Sequence, residues 1–409
     1  MLNWEEKFST RLNRMHSSEI RELLKLLERP DIISFAGGIP DANLLPKEFF
    51  KEAYESILSK NGSFALQYSI SEGYLPLREF IASEMNEIGI SCSAANIIIT
   101  SGSQQALDYL GKLFLSPGDT AFVRAPTYLG ALMAFNAYEP VYSCLSLDQT
   151  LYLKSYKDSG KDVRNKMKFA YVSSDFSNPT GETLDLKNRE NLINFIDEMD
   201  IALIEDGAYQ ALRFDGEKIP PILALEIKQK GHINKTRVIY TGSFSKTLSP
   251  GIRIGWICAN IEVIKKIILI KQASDLHVST INQMAMHYAA SYGLEAQLKK
   301  IKKVYSHRRD CMLTALSKHM PKSVTWTKPE GGMFIWMNLM EKLNTATLLK
   351  QSLESEKVAF VPGSSFFADR SGTNTLRISF SCTEKEIIEE GIERLSRLIR
   401  KEEALLDTT

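Results

Sequence analysis

A lysine set between two serines and followed seven residues later by an arginine is the most reactive-looking feature of this chain. The run SFSKTLSPGIRIGW at 243–256 places Ser243, Ser245 and Arg253 around Lys246. Hydroxyls and a guanidinium suit a phosphate, and Pro250-Gly251 makes a turn that can bring Arg253 back to the same anion. A lysine amid small and apolar residues at a strand end is desolvated, which lowers its pKa and makes it a Schiff-base candidate. Four further groups could serve the same centre. SGSQQ at 101–105 puts Gly102, Ser103 and Gln104 at a helix start, where free N–H groups bind anions; the plainer alternative is a helix with Ser103 as its N-cap. In IEDGAYQ at 204–210, Asp206 can pair with a protonated ring nitrogen and Tyr209 can reach a phenolate oxygen, although Asp206 can equally cap a helix. Asn178, in the turn SNPTG, can donate to a cofactor or substrate oxygen, and Tyr128, in APTYLG, can stack on a flat ring or sit in the core. Arg377 interrupts the apolar run TLRISF, where a guanidinium needs an anion such as a carboxylate gripped by two N–H groups.

These residues follow apolar runs that read as strands: 97–100, 120–125, 168–174, 201–206, 238–242 and 252–259. Each is separated from the next by a helical pattern. That alternation predicts an α/β fold, with a mostly parallel sheet covered by helices on both faces and ligands bound beyond the carboxyl ends of the strands. A long helix is expected over roughly 282–317, then a smaller α+β part with a strand at 331–336 and a closing helix around 384–401. At the other end, Ser17-Ser18-Glu19 and the leucines up to Leu27 predict an amphipathic helix stopped by Pro30. The expected division is an arm over 1–45 that also joins the small domain, a large domain over 46–290 and a small domain over 291–409.

Composition narrows the partners. The 409 residues carry 50 Lys plus Arg against 49 Asp plus Glu, so no basic field recruits nucleic acid. The cluster Lys299, Lys300, Lys302 and Lys303 reads as the solvated face of a helix. Five scattered cysteines without a CxxC pair argue against disulfides and metal, and no apolar stretch is long enough for a membrane span. The first 30 residues lack the apolar core of a secretory leader, so a cytoplasmic protein is expected.

Taken in order, the phosphate-binding helix start, stacking Tyr, Asn-Pro-x-Gly, Asp-x-Ala-Tyr, Ser-x-Ser-Lys and late Arg resemble the fold-type-I pyridoxal-phosphate aminotransferases of class I/II. The segments ISFAGGIPD at 33–41, ALQYSISEGYLPLR at 65–78, KPEGGMFIW at 328–336 and AFVPGSSFF at 359–367 bring the chain close to the 2-aminoadipate and kynurenine aminotransferase branch. The resemblance implies pyridoxal 5'-phosphate as cofactor, with Lys246 forming the internal aldimine and Asp206 on the pyridine nitrogen. It implies Tyr209 and Asn178 at the ring hydroxyl, Tyr128 stacked on the ring, and Gly102, Ser103, Gln104, Ser243, Ser245 and Arg253 around the phosphate. Tyr68 would reach that phosphate from a neighbouring subunit, which makes the protein a homodimer with shared sites. Arg377, Asn178 and the Gly38 backbone would bind the substrate α-carboxylate, and Arg21 would read a distal carboxylate, with a solvated helix charge as the alternative for Arg21.

The implied reaction is transamination. An amino acid of the 2-aminoadipate, aromatic or branched-chain type gives its amino group to 2-oxoglutarate, with Lys246 as proton carrier. A lyase or cyclising synthase on the same fold is the alternative, and a regulatory module of the kind that follows a DNA-binding region is a more distant one. Departures from the branch lie at Asp41, Leu45 and Ser177, and bear on substrate rather than on reaction type.

Overall fold

The computed structural model describes residues 2–15, 31–146 and 160–407. The helix expected over 17–29, and with it Arg21, lies outside the described residues. After the two-residue strand β1 (Ile33–Ser34) come the seven strands of the main sheet: β2 (Ile97–Thr100), β3 (Thr120–Val123), β4 (Val141–Cys144), β5 (Met167–Val172), β6 (Ala202–Asp206), β7 (Val238–Ser243) and β8 (Gly255–Cys258). Their spatial order is β2-β8-β7-β6-β5-β3-β4. Strands β7, β6, β5, β3 and β4 run parallel, whereas β8 is antiparallel to both of its neighbours.

Apolar residues on both faces explain why the sheet is sandwiched. Ile97 and Ile99 pack with Leu203, Val238 and the helices Leu75–Glu87 and Leu186–Met199. Ile98 points the other way, with Ile204, Ile239 and Ile257, into the helices Ser103–Phe114 and Leu129–Asn136. Successive strand residues face opposite sides, so unbroken apolar runs need two apolar layers. β4 is the exception that the sequence reading missed: it lies at the sheet edge and its four residues are exposed or half-buried, so it carries no apolar run.

The reversed β8 matters for chemistry. Parallel strands deliver the residues that follow them to one edge of the sheet, and an antiparallel strand delivers the residues that precede it. Arg253 precedes β8, while Ser101 follows β2 and Lys246 follows β7. Gly255 pairs with both Thr100 and Ser243, so all three segments meet.

A second core surrounds a four-stranded sheet ordered β12-β13-β10-β9, made of β9 (Thr325–Trp326), β10 (Phe334–Asn338), β12 (Val361–Pro362) and β13 (Thr375–Ser379). β1 pairs in parallel with β11 (Val358–Ala359), which ties residues 33–36 to this part of the chain. The 40-residue helix Thr280–His319 joins the two cores. Its Met286, Ala289 and Ala290 pack under the main sheet, and Ile301, Tyr305, Met312 and Leu316 pack with the small one. The closing helix, Lys385–Asp407, buries Ile388, Ile392 and Leu395 there. Among the described residues, no helix is long and apolar enough to cross a membrane.

Candidate active site

At the end of β2, Gly102 has φ +76° and is itself the N-cap of the helix Ser103–Phe114; the cap is therefore Gly102 and not Ser103, which is the first helical residue. Glycine is required twice over. A side chain strains this backbone, and a Cβ would stand 2.3 Å from a guanidinium nitrogen of Arg253. Arg253 donates through Nη2 to the Ser101 carbonyl (3.1 Å) and through Nη1 to that of Pro250 (3.2 Å). At Gly255 a Cβ would lie 2.7 Å from the Ser103 nitrogen. Alongside, the Ser243 and Ser245 hydroxyls are 2.8 Å apart. Gln104 Nε2 donates to the Gly130 carbonyl (2.7 Å) and so secures the turn that carries Tyr128. The result is a cradle of unpaired helix N–H groups, two hydroxyls and one guanidinium, shaped for a phosphate.

Lys246 closes the short turn Phe244–Lys246 after β7. Its Nζ donates to the Gly38 carbonyl at 2.9 Å and lies 5.8 Å from the centre of the Tyr209 ring. Burial first, and the nearby Arg377 cation second, pull its pKa down to about 8. Gly38 itself has no room for a side chain, because a Cβ would meet Phe334 at 2.9 Å.

Asp206 ends β6 and is buried. Its Oδ2 accepts a 2.8 Å bond from the Tyr171 hydroxyl, while Oδ1 has only longer contacts, 3.3 Å from the Ala208 N–H and 3.5 Å from Thr241. Desolvation raises its pKa, and these donors and Lys246 oppose the rise. A cationic N–H is the partner such a carboxylate wants.

Arg377, in the centre of β13, is fully buried. Nη1 donates to Asn178 Oδ1 (2.7 Å) and Nη2 to the Ala36 carbonyl (2.8 Å), while Nε has no partner among the described residues. The guanidinium lies over the rings of Phe334 (4.2 Å) and Phe366 (5.1 Å). Burial lowers its pKa to about 10, so it remains a cation at neutral pH. Asn178 turns its amide nitrogen to the Tyr209 hydroxyl at 3.4 Å. The Tyr209 phenol, buried against Phe334, is held protonated above all by desolvation. Tyr128 is half-buried at the start of its helix and within electrostatic range of Tyr209, Tyr171 and Arg377.

The residues singled out from sequence thus converge, with two exceptions. Arg21 is not described. Tyr68 is 79% exposed, and its contacts are its own neighbour Gln67 and the His277 ring at 5.9 Å, not the cluster. The structure adds Tyr171, Thr241 and the two rings, Phe334 and Phe366, that lie against the Arg377 guanidinium. It also adds a buried brace: Arg308 donates to Asp41 Oδ2 (2.9 Å) and to the Ser381 carbonyl, and Tyr305 accepts from the Asp41 N–H. That brace fixes the turn bearing Gly38.

A flat cofactor with a phosphate at one end, a basic ring nitrogen at the other and a carbonyl between them fits this donor set: the glycine cradle, the under-bonded Asp206 oxygen and a lysine of lowered pKa. Residues 30–395 match the sequence pattern of the family described as Aminotransferase class I and II. The chain belongs to this family. It is 42% identical, over 98% of its length and 96% of the relative, to the aromatic-amino-acid aminotransferase 1 of Thermococcus litoralis. It is 40% identical to the 2-aminoadipate transaminase of Thermus thermophilus, over 98% of each chain. Among solved structures, a Pyrococcus horikoshii kynurenine aminotransferase in complex with PMP superposes with a TM-score of 0.90 at 41% identity, over 98% of each chain. The protein is a pyridoxal-phosphate-dependent aminotransferase of the aromatic, 2-aminoadipate and kynurenine branch, with the fold of type I.

Proposed function

We propose that this aminotransferase moves the amino group of a 2-aminoadipate, aromatic or branched-chain amino acid to 2-oxoglutarate, with Lys246 as the proton carrier. The observation that carries the reading is the setting of Lys246 Nζ: an amine with a pKa near 8, held by the Gly38 carbonyl beside Tyr209 and near the cation Arg377. When bound, pyridoxal phosphate supplies an aldehyde that condenses with amines and a protonated ring that draws electrons from the substrate α-carbon.

The protein's part follows from its side chains. Ser243, Ser245, Arg253 and the N–H groups of Ser103 and Gln104 bind the phosphate, while the Gly102 N–H is held by the Thr100 carbonyl at 2.8 Å. Asp206 holds the proton on the ring nitrogen, and Tyr171 keeps Asp206 ionised by donating to Oδ2. Tyr209 and Asn178 hold the ring oxygen, and Tyr128 covers the ring face. Arg377, already oriented by Asn178 and Ala36, grips the α-carboxylate in the position that sets the α-proton before Lys246. As a neutral amine, Lys246 Nζ takes that proton; as an ammonium it returns one. Arg21 reads a distal carboxylate in dicarboxylic donors.

The reading includes a homodimer. Tyr68 stands among the exposed apolar residues Phe64, Leu66 and Ile70, a patch of the kind that subunits cover; there it reaches the phosphate of the other subunit. It also keeps the division into an arm over 1–45, a large domain over 46–290 and a small domain over 291–409, supported by the two separate cores. Five free cysteines support a cytoplasmic setting.

A panel of 2-aminoadipate, kynurenine, phenylalanine, leucine and aspartate with 2-oxoglutarate tests the reading. Stoichiometric glutamate is expected from the first four. Pyruvate and ammonia without glutamate would mean a lyase instead, and selective loss of 2-aminoadipate turnover in Arg21→Ala is expected if Arg21 reads the distal group.

A further inference from the structure

Behind the phosphate cradle stands a chain of polar contacts that ends on a buried charge. Lys271, in the helix Ile261–Gln272, has a side chain with no exposed surface, and its Nζ donates to both carboxylate oxygens of Asp275, at 2.8 and 3.0 Å. The N–H groups of Ser274, Asp275 and Leu276 all donate to the Lys271 carbonyl, so the turn that carries Asp275 is tied to the same residue. The Tyr109 hydroxyl donates to Oδ1 at 3.1 Å and Gln105 Nε2 to Oδ2 at 2.8 Å. At the other end of that amide, Gln105 Oε1 accepts from the Ser101 N–H at 2.7 Å. Burial alone would raise the Asp275 pKa. The bonds from Lys271 and Gln105 and the Lys271 charge outweigh it and hold the carboxyl below its ordinary value, so Asp275 is an anion at neutral pH.

These contacts set the orientation of an amide. An ionised carboxylate only accepts and a backbone N–H only donates, so one orientation of Gln105 satisfies both, with Nε2 toward Asp275 and Oε1 toward Ser101. A flipped amide would set oxygen against oxygen and N–H against N–H. Ser101 in turn aims the cradle. Its carbonyl receives Arg253 Nη2 (3.1 Å), the Gly102 N–H is taken by the Thr100 carbonyl (2.8 Å), and the Thr100 hydroxyl donates to the Gly102 carbonyl (3.0 Å). The backbone groups of Ser101 and Gly102 are thereby all bonded, which leaves the first N–H groups of the helix Ser103–Phe114 for the anion.

We propose that Asp275 is a positioning residue of the phosphate cradle: seated on Lys271, it holds Gln105 in the orientation that fixes Ser101 and, through Ser101, the Arg253 guanidinium. It acts through Gln105 and not on the cofactor itself. The inference rests on the reading of this cradle as the phosphate site. A neutral acceptor would serve Gln105 equally well; the buried ammonium of Lys271 is what requires a carboxylate, because an unpaired charge there is costly. The pair also joins the helix that follows β2 to the helix that follows β8, and these are the strands beside which Ser101 and Arg253 lie.

The test strips the enzyme of its cofactor and titrates it with pyridoxal phosphate and with pyridoxal, which lacks the phosphate, each followed by absorbance. Gln105→Leu keeps the ion pair and cuts the link to Ser101. Its preference for pyridoxal phosphate over pyridoxal is expected to fall roughly tenfold, with pyridoxal bound as in the wild-type enzyme. Gln105→Glu sets a carboxylate against Asp275 and should lose at least as much. In Gln105→Glu/Asp275→Asn the new amide donates to the new carboxylate, which still accepts from Ser101, so the preference should return to within about threefold of wild type. Loss of both ligands by the same factor means a general structural role and overturns the proposal, as does a double variant no better than Gln105→Glu. Arg253→Ala separates the two readings. If it lowers the phosphate preference while the Gln105 variants keep theirs, the positioning role falls and the cradle stands. If it too leaves the preference unchanged, the cradle reading falls and takes the positioning role with it.

Discussion

Replacing Gly102 by alanine adds one methyl group where the phosphate cradle has no space for it. The methyl carbon would stand 2.3 Å from Nη2 and 2.8 Å from Cζ of Arg253, far inside contact distance. The end of an arginine is flexible, so the guanidinium swings away and gives up its 3.1 Å bond to the Ser101 carbonyl. It then no longer points at the anion. A charged hydrogen bond contributes about 1.5–3 kcal/mol, so pyridoxal phosphate should bind roughly 10- to 150-fold more weakly. The backbone adds its own penalty, because φ +76° with ψ 167° is a glycine conformation that costs a side chain of order 1–3 kcal/mol. Two readouts separate the effects. Titration of the cofactor-free variant with pyridoxal phosphate, followed by absorbance, reports the cradle, and thermal unfolding of the same sample reports the strain. Arg253→Ala in parallel should reproduce the first effect without the second. A folded Gly102→Ala protein that binds the cofactor within about threefold of wild type, a change below 1 kcal/mol, would refute the reasoning.

Arg377→Lys removes the fork that spans Asn178 and Ala36; kcat/KM for amino acids should fall roughly 10- to 100-fold with cofactor affinity intact, and an unchanged kcat/KM would contradict the assignment. Asp206→Asn should cut kcat by roughly 10²–10⁴-fold, the cost of breaking a buried ion pair. Tyr171→Phe should raise the Asp206 pKa further, since Oδ2 loses its 2.8 Å donor, and thereby shift the acid limb of the pH–rate profile upward; a limb that stays in place would exclude that coupling. Lys246 is an ammonium below about pH 8 and an amine above it, against 10.5 for an ordinary lysine. Between those values the unfolded chain holds more protons than the folded one, so this group makes stability rise with pH across that window. Labelling of Lys246 by an amine-directed reagent in the cofactor-free protein, read by peptide mass spectrometry, should reach half its maximum near pH 8.

Charged residues inside apolar runs were the legible part of the site. Lys246, Asp206 and Arg377 each break a stretch that otherwise reads as core; Asp206 ends β6, Arg377 lies within β13, and Lys246 closes the turn that follows β7. Tyr171 was not legible, because an aromatic residue in a strand reads as packing. Only the pairing of β5 with β6 brings its hydroxyl to Asp206. The Gly38 and Ala36 carbonyls that hold Lys246 and Arg377 belong to the backbone, which has no sequence signature. Strand direction was equally hidden. IRIGWICA is as apolar as its neighbours, and apolarity reports two covered faces, not orientation, so the reversed β8 could not be foreseen.

The half-reaction tests the central claim most directly. Holoenzyme mixed with 2-aminoadipate or phenylalanine in the absence of any 2-oxo acid should release one equivalent of the corresponding 2-oxo acid per active site and then stop, with the amino group retained on the cofactor until 2-oxoglutarate is added. Lys246→Ala should release none. Continued release with free ammonia, or a full equivalent from the Lys246→Ala protein, would contradict the account.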